Sequence, residues 1–239
     1  MGLINICLDE EYLKLGGIEK WVPFDFESEG QRVMVVGPSG SGKTIFAKTL
    51  LGKLGLHIPA IHIWIVDYKG LDFEWLSGCK HYYSVDKAVE GIHAFFTMFE
   101  DRLYKRKPSD NIQVLFVDEL NSLLLSISKK EQEELRGQIA RLLNLSRALK
   151  IILISAMQRP SAELFANGAR DNYNIKFMFG ANSKETINMI ASEYKEFISP
   201  CPTGVGYCTI NDMNLKKIRS VMPANTDKLH YVIKEAVNR

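Results

Sequence analysis

The sequence predicts an α/β domain built on a mostly parallel central sheet flanked by helices. Three observations carry that prediction. Residues 33–36, 61–66, 112–117 and 151–156 are short, nearly continuous apolar runs, as a strand buried on both faces requires. Between them lie longer segments whose apolar residues recur at helical spacing. The first run also leads directly into Gly37-Pro38-Ser39-Gly40-Ser41-Gly42-Lys43-Thr44 and then a helical pattern, the strand, loop and helix context that makes a P-loop.

With 239 residues, 46% hydrophobic and 24% charged, the chain has enough apolar material for one sizeable core and too little charge excess for disorder. We divide it into a short β-rich segment (1–30), an ATPase domain (31–222) and a C-terminal helix (223–239). The net charge of +2 gives no general footprint for nucleic acid, so such binding must rest on local clusters. Cys7, Cys79, Cys201 and Cys208 have no C-x-x-C pairing, which predicts reduced thiols and a cytoplasmic protein. No run is long enough to cross a bilayer, the start lacks a leader pattern, and Ile6 stands where a myristoylation signal needs Ser or Thr.

In chain order, residues 3–8 and 21–26 read as short strands around a turn at Gly16-Gly17, and Gly30 marks entry to the first core strand. The glycines at 37, 40 and 42 let several backbone N–H groups converge, and the following helix adds the positive end of its dipole. Lys43 is the mobile charge for the β- and γ-phosphates of ATP, and the Thr44 hydroxyl is a ligand for Mg²⁺. The run at 61–67 ends in Asp67-Tyr68-Lys69-Gly70, a polar turn at the strand edge where doubly wound sheets bind ligands.

From Ser84 a hydroxyl cap, an early acid and the spacing of Val89, Ile92, Phe95, Phe96, Phe99 and Leu103 predict a helix. Its basic end, Arg102, Lys105, Arg106 and Lys107 before Pro108, either complements its own dipole or touches nucleic acid. The strand at 112–117 delivers Asp118 and Glu119, a Walker B arrangement: Asp118 for the metal shell, Glu119 to orient or deprotonate the attacking water. A polar turn at 126–130 precedes a helix with Leu135, Ile139, Leu142, Leu145 and Leu149 on one face. Gln158, just past the strand at 151–156, can sense a γ-phosphate or simply cap the strand end. A strand at 174–180, a short helix from Ser183, a hairpin over 204–221 and a final helix complete the chain. In this reading two neighbouring strand tips put the phosphate nest and the acid pair on opposite sides of one terminal phosphoryl group.

The P-loop, Asp67-Tyr68-Lys69-Gly70, the Asp118-Glu119 strand end, Ser128-Lys129-Lys130, Gln158-Arg159-Pro160-Ser161 and Gly204-Val205-Gly206-Tyr207 together resemble the motor domain of FtsK/SpoIIIE DNA translocases, within the FtsK/HerA group of P-loop ATPases. The resemblance runs from about residue 14 to residue 221. It implies a RecA-like ATPase, assembled as a homo-oligomeric ring, a hexamer in such motors, that moves double-stranded DNA by hydrolysing ATP. It further implies catalytic roles for Lys43, Glu119 and Gln158, DNA contacts by Lys129 and Lys130 (otherwise a solvated pair), and an arginine finger drawn from Arg141, Arg147, Arg159 and Arg170. The membrane region and winged-helix reader of chromosome translocases have no counterpart here, so we expect a minimal motor of a mobile element or DNA transfer system, with a partner that supplies targeting or membrane recruitment. The rival expectation is an ATPase module of a type VII secretion-like protein-export machine, which belongs to the same group.

Overall fold

The computed structural model describes residues 3–26, 31–105, 111–163 and 171–239. Gly30, Arg106, Lys107, Pro108 and Arg170 lie outside the described residues. The strands are β1 (Ile4–Asp9), β2 (Trp21–Phe24), β3 (Arg32–Val36), β4 (His62–Asp67), β5 (Tyr82–Ser84), β6 (Gln113–Asp118), β7 (Ile151–Met157), β8 (Ile175–Phe179), β9 (Val205–Ile210) and β10 (Met213–Ser220). The helices are α1 (Glu10–Gly16), α2 (Lys43–His57), α3 (Ala88–Lys105), α4 (Leu120–Ser126), α5 (Lys129–Leu145), α6 (Lys184–Ala191) and α7 (Thr226–Asn238).

The described strands make one sheet in the order β2-β1-β10-β9-β8-β3-β7-β6-β4-β5. From β8 to β5 all neighbours run parallel, and β9, β10, β1 and β2 extend the sheet in antiparallel fashion. Alternation along each central strand divides the core in two. Val33, Val35, Ile63, Ile65, Val114 and Phe116 face the layer that contains α2 and α7. Met34, Val36, Trp64, Val66, Leu115 and Val117 face α3, α4 and α5. Both faces are covered, which is why these runs read as continuously apolar.

Helix α2 lies close to α7 because two of its residues lack a side chain. A Cβ on Gly52 would run into Leu229, and one on Gly55 would sit 2.9 Å from a Val232 methyl. The last helix therefore packs on the helix that follows the P-loop.

Three local expectations change, and one helix appears that the sequence pattern does not predict. The turn at Gly16-Gly17 is the end of α1, which Asp9 caps through Glu11 N–H at 3.1 Å and Gly17 closes at φ 68°. Ser84 ends β5 in extended conformation and makes no side-chain cap, so α3 starts four residues later, after a 3-10 turn. A helix, α4, directly follows the acid pair. Ser128 and Glu131 form a reciprocal capping box that starts α5, so Lys129 and Lys130 stand in the first turn of a helix and not in a loop.

Candidate nucleotide site

The carboxyl ends of β3, β7, β6 and β4 meet at one edge of the sheet, and the predicted residues gather there. One part of the expected geometry is corrected: β3 and β6 are not neighbours, because β7 lies between them. Its tip carries Gln158 into the gap, so three strand ends, not two, build the site.

The P-loop owes its shape to glycine and to bracing from a second segment. Gly40 and Gly42 take φ 76° and 91°, in the left-handed region that side chains disfavour. A Cβ on Gly37 would lie 2.5 Å from Ser41 Oγ and 2.7 Å from the Phe179 carbonyl oxygen. The segment before β9 holds the loop from outside: Gly204 N–H donates to the Ser41 carbonyl and the Thr203 hydroxyl to the Gly40 carbonyl, each at 2.9 Å. Ser41 Oγ is buried and has no hydrogen-bond partner among the described residues. A buried hydroxyl without a partner is costly, and a phosphate oxygen in the loop is the acceptor that chemistry suits.

Lys43 opens α2 and is 7% exposed. Its Nζ is 3.3 Å from Glu119 Oε1, and Lys69 Nζ is 3.2 Å from the same oxygen. Glu119 Oε2 accepts the Gln158 backbone N–H at 3.4 Å. Glu119 has φ 53°, a conformation that costs energy for a residue with a Cβ and collects at functional sites. It caps α4, whose Leu123 N–H donates to its carbonyl at 3.0 Å. Burial pushes the Glu119 carboxyl up, but Lys43 and then Lys69 more than offset this and hold it below the usual carboxylate range.

Asp118, 3% exposed, ends β6 in register with Asp67 of β4. Burial pushes its carboxyl up to about 7; Lys43 opposes, while Glu119, Asp72 and Asp67 add to the rise. A divalent cation is the kind of charge that would offset the crowding of carboxylates around such a buried acid. Thr44, half-buried, is the second residue of α2 and lines the cleft, and a hydroxyl together with a carboxylate, both hard oxygen donors, would suit Mg²⁺. Residues 38–45, Lys69, Asp72, Glu119, Gln158 and Thr203 line one open cleft of roughly 330 Å³.

Sequence reasoning singled out the turn at 67–70 but gave Lys69 no role, and it missed Asp72, Thr203 and the bracing by Gly204. The other predicted residues stand elsewhere. Lys129 and Lys130 are exposed at the start of α5. Arg141 is committed within the chain, to Glu100 at 2.7 Å, the Tyr104 hydroxyl at 3.4 Å and the Phe96 ring. Arg147 is exposed on a 3-10 turn after α5, and Arg159 is exposed directly after Gln158. Arg102 donates to the Asn111 and Leu149 carbonyls, closing a loop between helix and strands. All four cysteines are free. Among the described residues no helix is long and apolar enough to cross a membrane.

Comparison with known proteins agrees with this fold. The family described as ATPase family associated with various cellular activities (AAA) matches residues 33–181. The FtsK domain-containing protein YdcQ of Bacillus subtilis is 24% identical over 214 residues, covering 82% of this chain and 44% of the relative. DNA translocase FtsK of Staphylococcus epidermidis is 21% identical over 189 residues, 66% of this chain and 23% of the relative. The chain thus spans less than half the length of these curated relatives. Among solved structures, the pCW3 conjugation coupling protein TcpA, in monomer form with ATPγS, superposes with a TM-score of 0.74 at 16% identity over 98% of this chain and 70% of that one. The cytoplasmic domain of the Thermomonospora curvata type VII secretion ATPase EccC gives 0.72 at 16% identity, covering 98% and 31%. At such identities the structural likeness speaks for the fold.

Proposed function

The chain belongs to the ATPase family associated with various cellular activities, and from that premise we propose that it couples ATP hydrolysis to the movement of double-stranded DNA as a ring of identical subunits, six in our reading. The observation that carries the chemical part is the convergence of Lys43, Glu119 and Gln158 on the P-loop cleft. Lys43 and the loop N–H groups bind the β- and γ-phosphates. Thr44 and Asp118 would hold Mg²⁺, which would neutralise charge on those phosphates. Glu119 orients the attacking water and takes its proton, and Gln158 reads the γ-phosphate from the tip of β7. Arg159, exposed beside Gln158, is the finger candidate we carry forward for a neighbouring subunit.

For the moved substrate, support comes from the likeness to a protein named DNA translocase and to a conjugation coupling protein. Lys129 and Lys130 add a physical argument. Cations at a helix N-terminus oppose its dipole, so capping does not account for them, whereas a phosphate contact does. A partner protein would supply targeting, including any recruitment to a membrane. The likeness to EccC favours a second reading, in which the cargo is a polypeptide.

Phosphate release measured alone, with duplex DNA and with an unstructured polypeptide separates these. The first reading expects stimulation by duplex and a higher particle mass on it. It also expects that Lys129→Ala with Lys130→Ala weakens duplex binding and lowers the slope of log affinity against log salt by about 2. Stimulation by polypeptide alone would select the export reading. An unchanged slope would move the DNA path away from α5.

A further inference from the structure

We propose that Lys69 is the positioning residue for Glu119, a role that rests on reading Glu119 as the group that orients the attacking water. Strand β6 lies between β7 and β4, and each neighbour supplies one restraint on the Glu119 carboxylate. From β7 comes the Gln158 N–H on Oε2 at 3.4 Å, and from the turn after β4 comes Lys69 Nζ on Oε1 at 3.2 Å. Contacts at both oxygens fix the carboxylate plane, and a water can be aligned by a base only when that plane is fixed.

The turn that carries Lys69 is built to stay in place. Asp67 is fully buried, and its two oxygens accept Gly70 N–H at 2.9 Å and Phe73 N–H at 3.0 Å, with the Tyr82 hydroxyl 3.3 Å from the second. Gly70 supplies φ 68° for the bend. A lysine on a mobile loop would lose much side-chain freedom to make this contact; here the backbone is already held and only the side chain is ordered. Lys43 cannot substitute. It stands in the P-loop, where its charge serves the phosphates, while Lys69 reaches the same oxygen from a separate element and keeps it in place throughout a turnover.

The full chain with Lys69→Met, which keeps length and removes charge, and with Lys69→Arg, which restores charge, tests this by steady-state hydrolysis and by binding of a fluorescent ATP analogue. Loss of alignment at the reacting centre should lower kcat of the Met variant roughly 10–100-fold while KM and analogue affinity stay within about twofold, and Arg should recover most of the loss. The proposal is overturned if Lys69→Met keeps more than about half of wild-type kcat, or if its loss appears in KM and analogue affinity, which would make Lys69 a phosphate contact. Binding of the analogue also shows that the variant is folded. Glu119→Gln is the control: if it keeps turnover, the reading of Glu119 fails, and if it is inactive while Lys69→Met is not, only the role of Lys69 fails.

Discussion

Two glutamates of this chain are equally hidden, each 2% exposed, and they are held in opposite ways. Glu10, the first residue of α1 on the antiparallel flank, meets Arg219 of β10 in a planar fork: Nε to Oε2 at 2.7 Å and Nη2 to Oε1 at 2.8 Å. Each oxygen has its own short donor, and the backbone is ordinary helix. Glu119, at the end of the parallel sheet, shares one oxygen between two lysines at 3.2 and 3.3 Å and has a single contact at 3.4 Å on the other, from a backbone with φ 53°. A bidentate guanidinium pair is strong and directional. Two ammonium point charges on one oxygen can be redistributed at little cost when a phosphate competes for one of them. Burial alone therefore does not separate a structural acid from the one we propose to be catalytic; the geometry of its partners and the strain of its backbone do.

The sharpest way to break that contrast is to neutralise each glutamate and look for the effect in two readouts. Glu119→Gln should lower kcat for ATP roughly 10²–10⁴-fold, as removal of a positioned general base does, with a cooperative unfolding transition retained. Glu10→Ala should do the reverse. Breaking a buried ion pair by removing one partner costs about 3–5 kcal/mol; Arg219 is 45% exposed and regains hydration, so we expect about 2–3 kcal/mol in urea unfolding. Its kcat per folded molecule should stay within about twofold of wild type, since it touches no reacting atom. A Glu10 variant that loses turnover while keeping its unfolding midpoint would mean that the flank and the cleft are coupled, and the contrast would dissolve.

What the sequence made legible follows the same physics. The central strands could be read because burial on both faces leaves an unbroken apolar run, and the P-loop and Asp118-Glu119 because their spacing is local. Helices α1 and α4, seven residues each, are two turns long and show too few repeats for a helical period, and β5 has only three residues. Ser84 misled because a hydroxyl before an acid and an apolar run is written the same way whether it caps a helix or ends a strand. The Ser128–Glu131 capping box was readable at its spacing, yet the lysines between its two members suggested a loop. The role of Lys69 could not be read at all. It depends on β4 lying beside β6, and the same hidden variable, strand order, placed β7 between the phosphate loop and the acid pair. The sequence pattern says which strands exist; which neighbours they take is decided by three-dimensional packing.

A third buried titratable group, with no ion-pair partner among the described residues, refines the comparison and should give the smallest effect. His81 precedes β5 at the edge opposite the cleft, 8% exposed, its ring stacked on Trp64 with centroids 3.7 Å apart and its Nδ1 buried without a hydrogen-bond partner among the described residues. Burial, then Lys80 and His62, push its pKa down to about 4. The unfolded chain, with an ordinary value near 6.5, therefore binds the His81 proton more tightly than the folded one. The contribution to stability is complete above about pH 6.5 and is lost as pH falls toward 4, at no more than about 1.4 kcal/mol per unit. Since native structures relax around a buried ring, we expect about 1–2 kcal/mol over that window. His81→Phe keeps the stack on Trp64 and removes the titration, so its urea midpoint should fall less between pH 6.5 and 4.5 than that of wild type. Equal slopes for the two proteins would show that the ring takes up its proton without leaving Trp64, and that desolvation at this edge is weaker than the site at the other edge requires of Asp118.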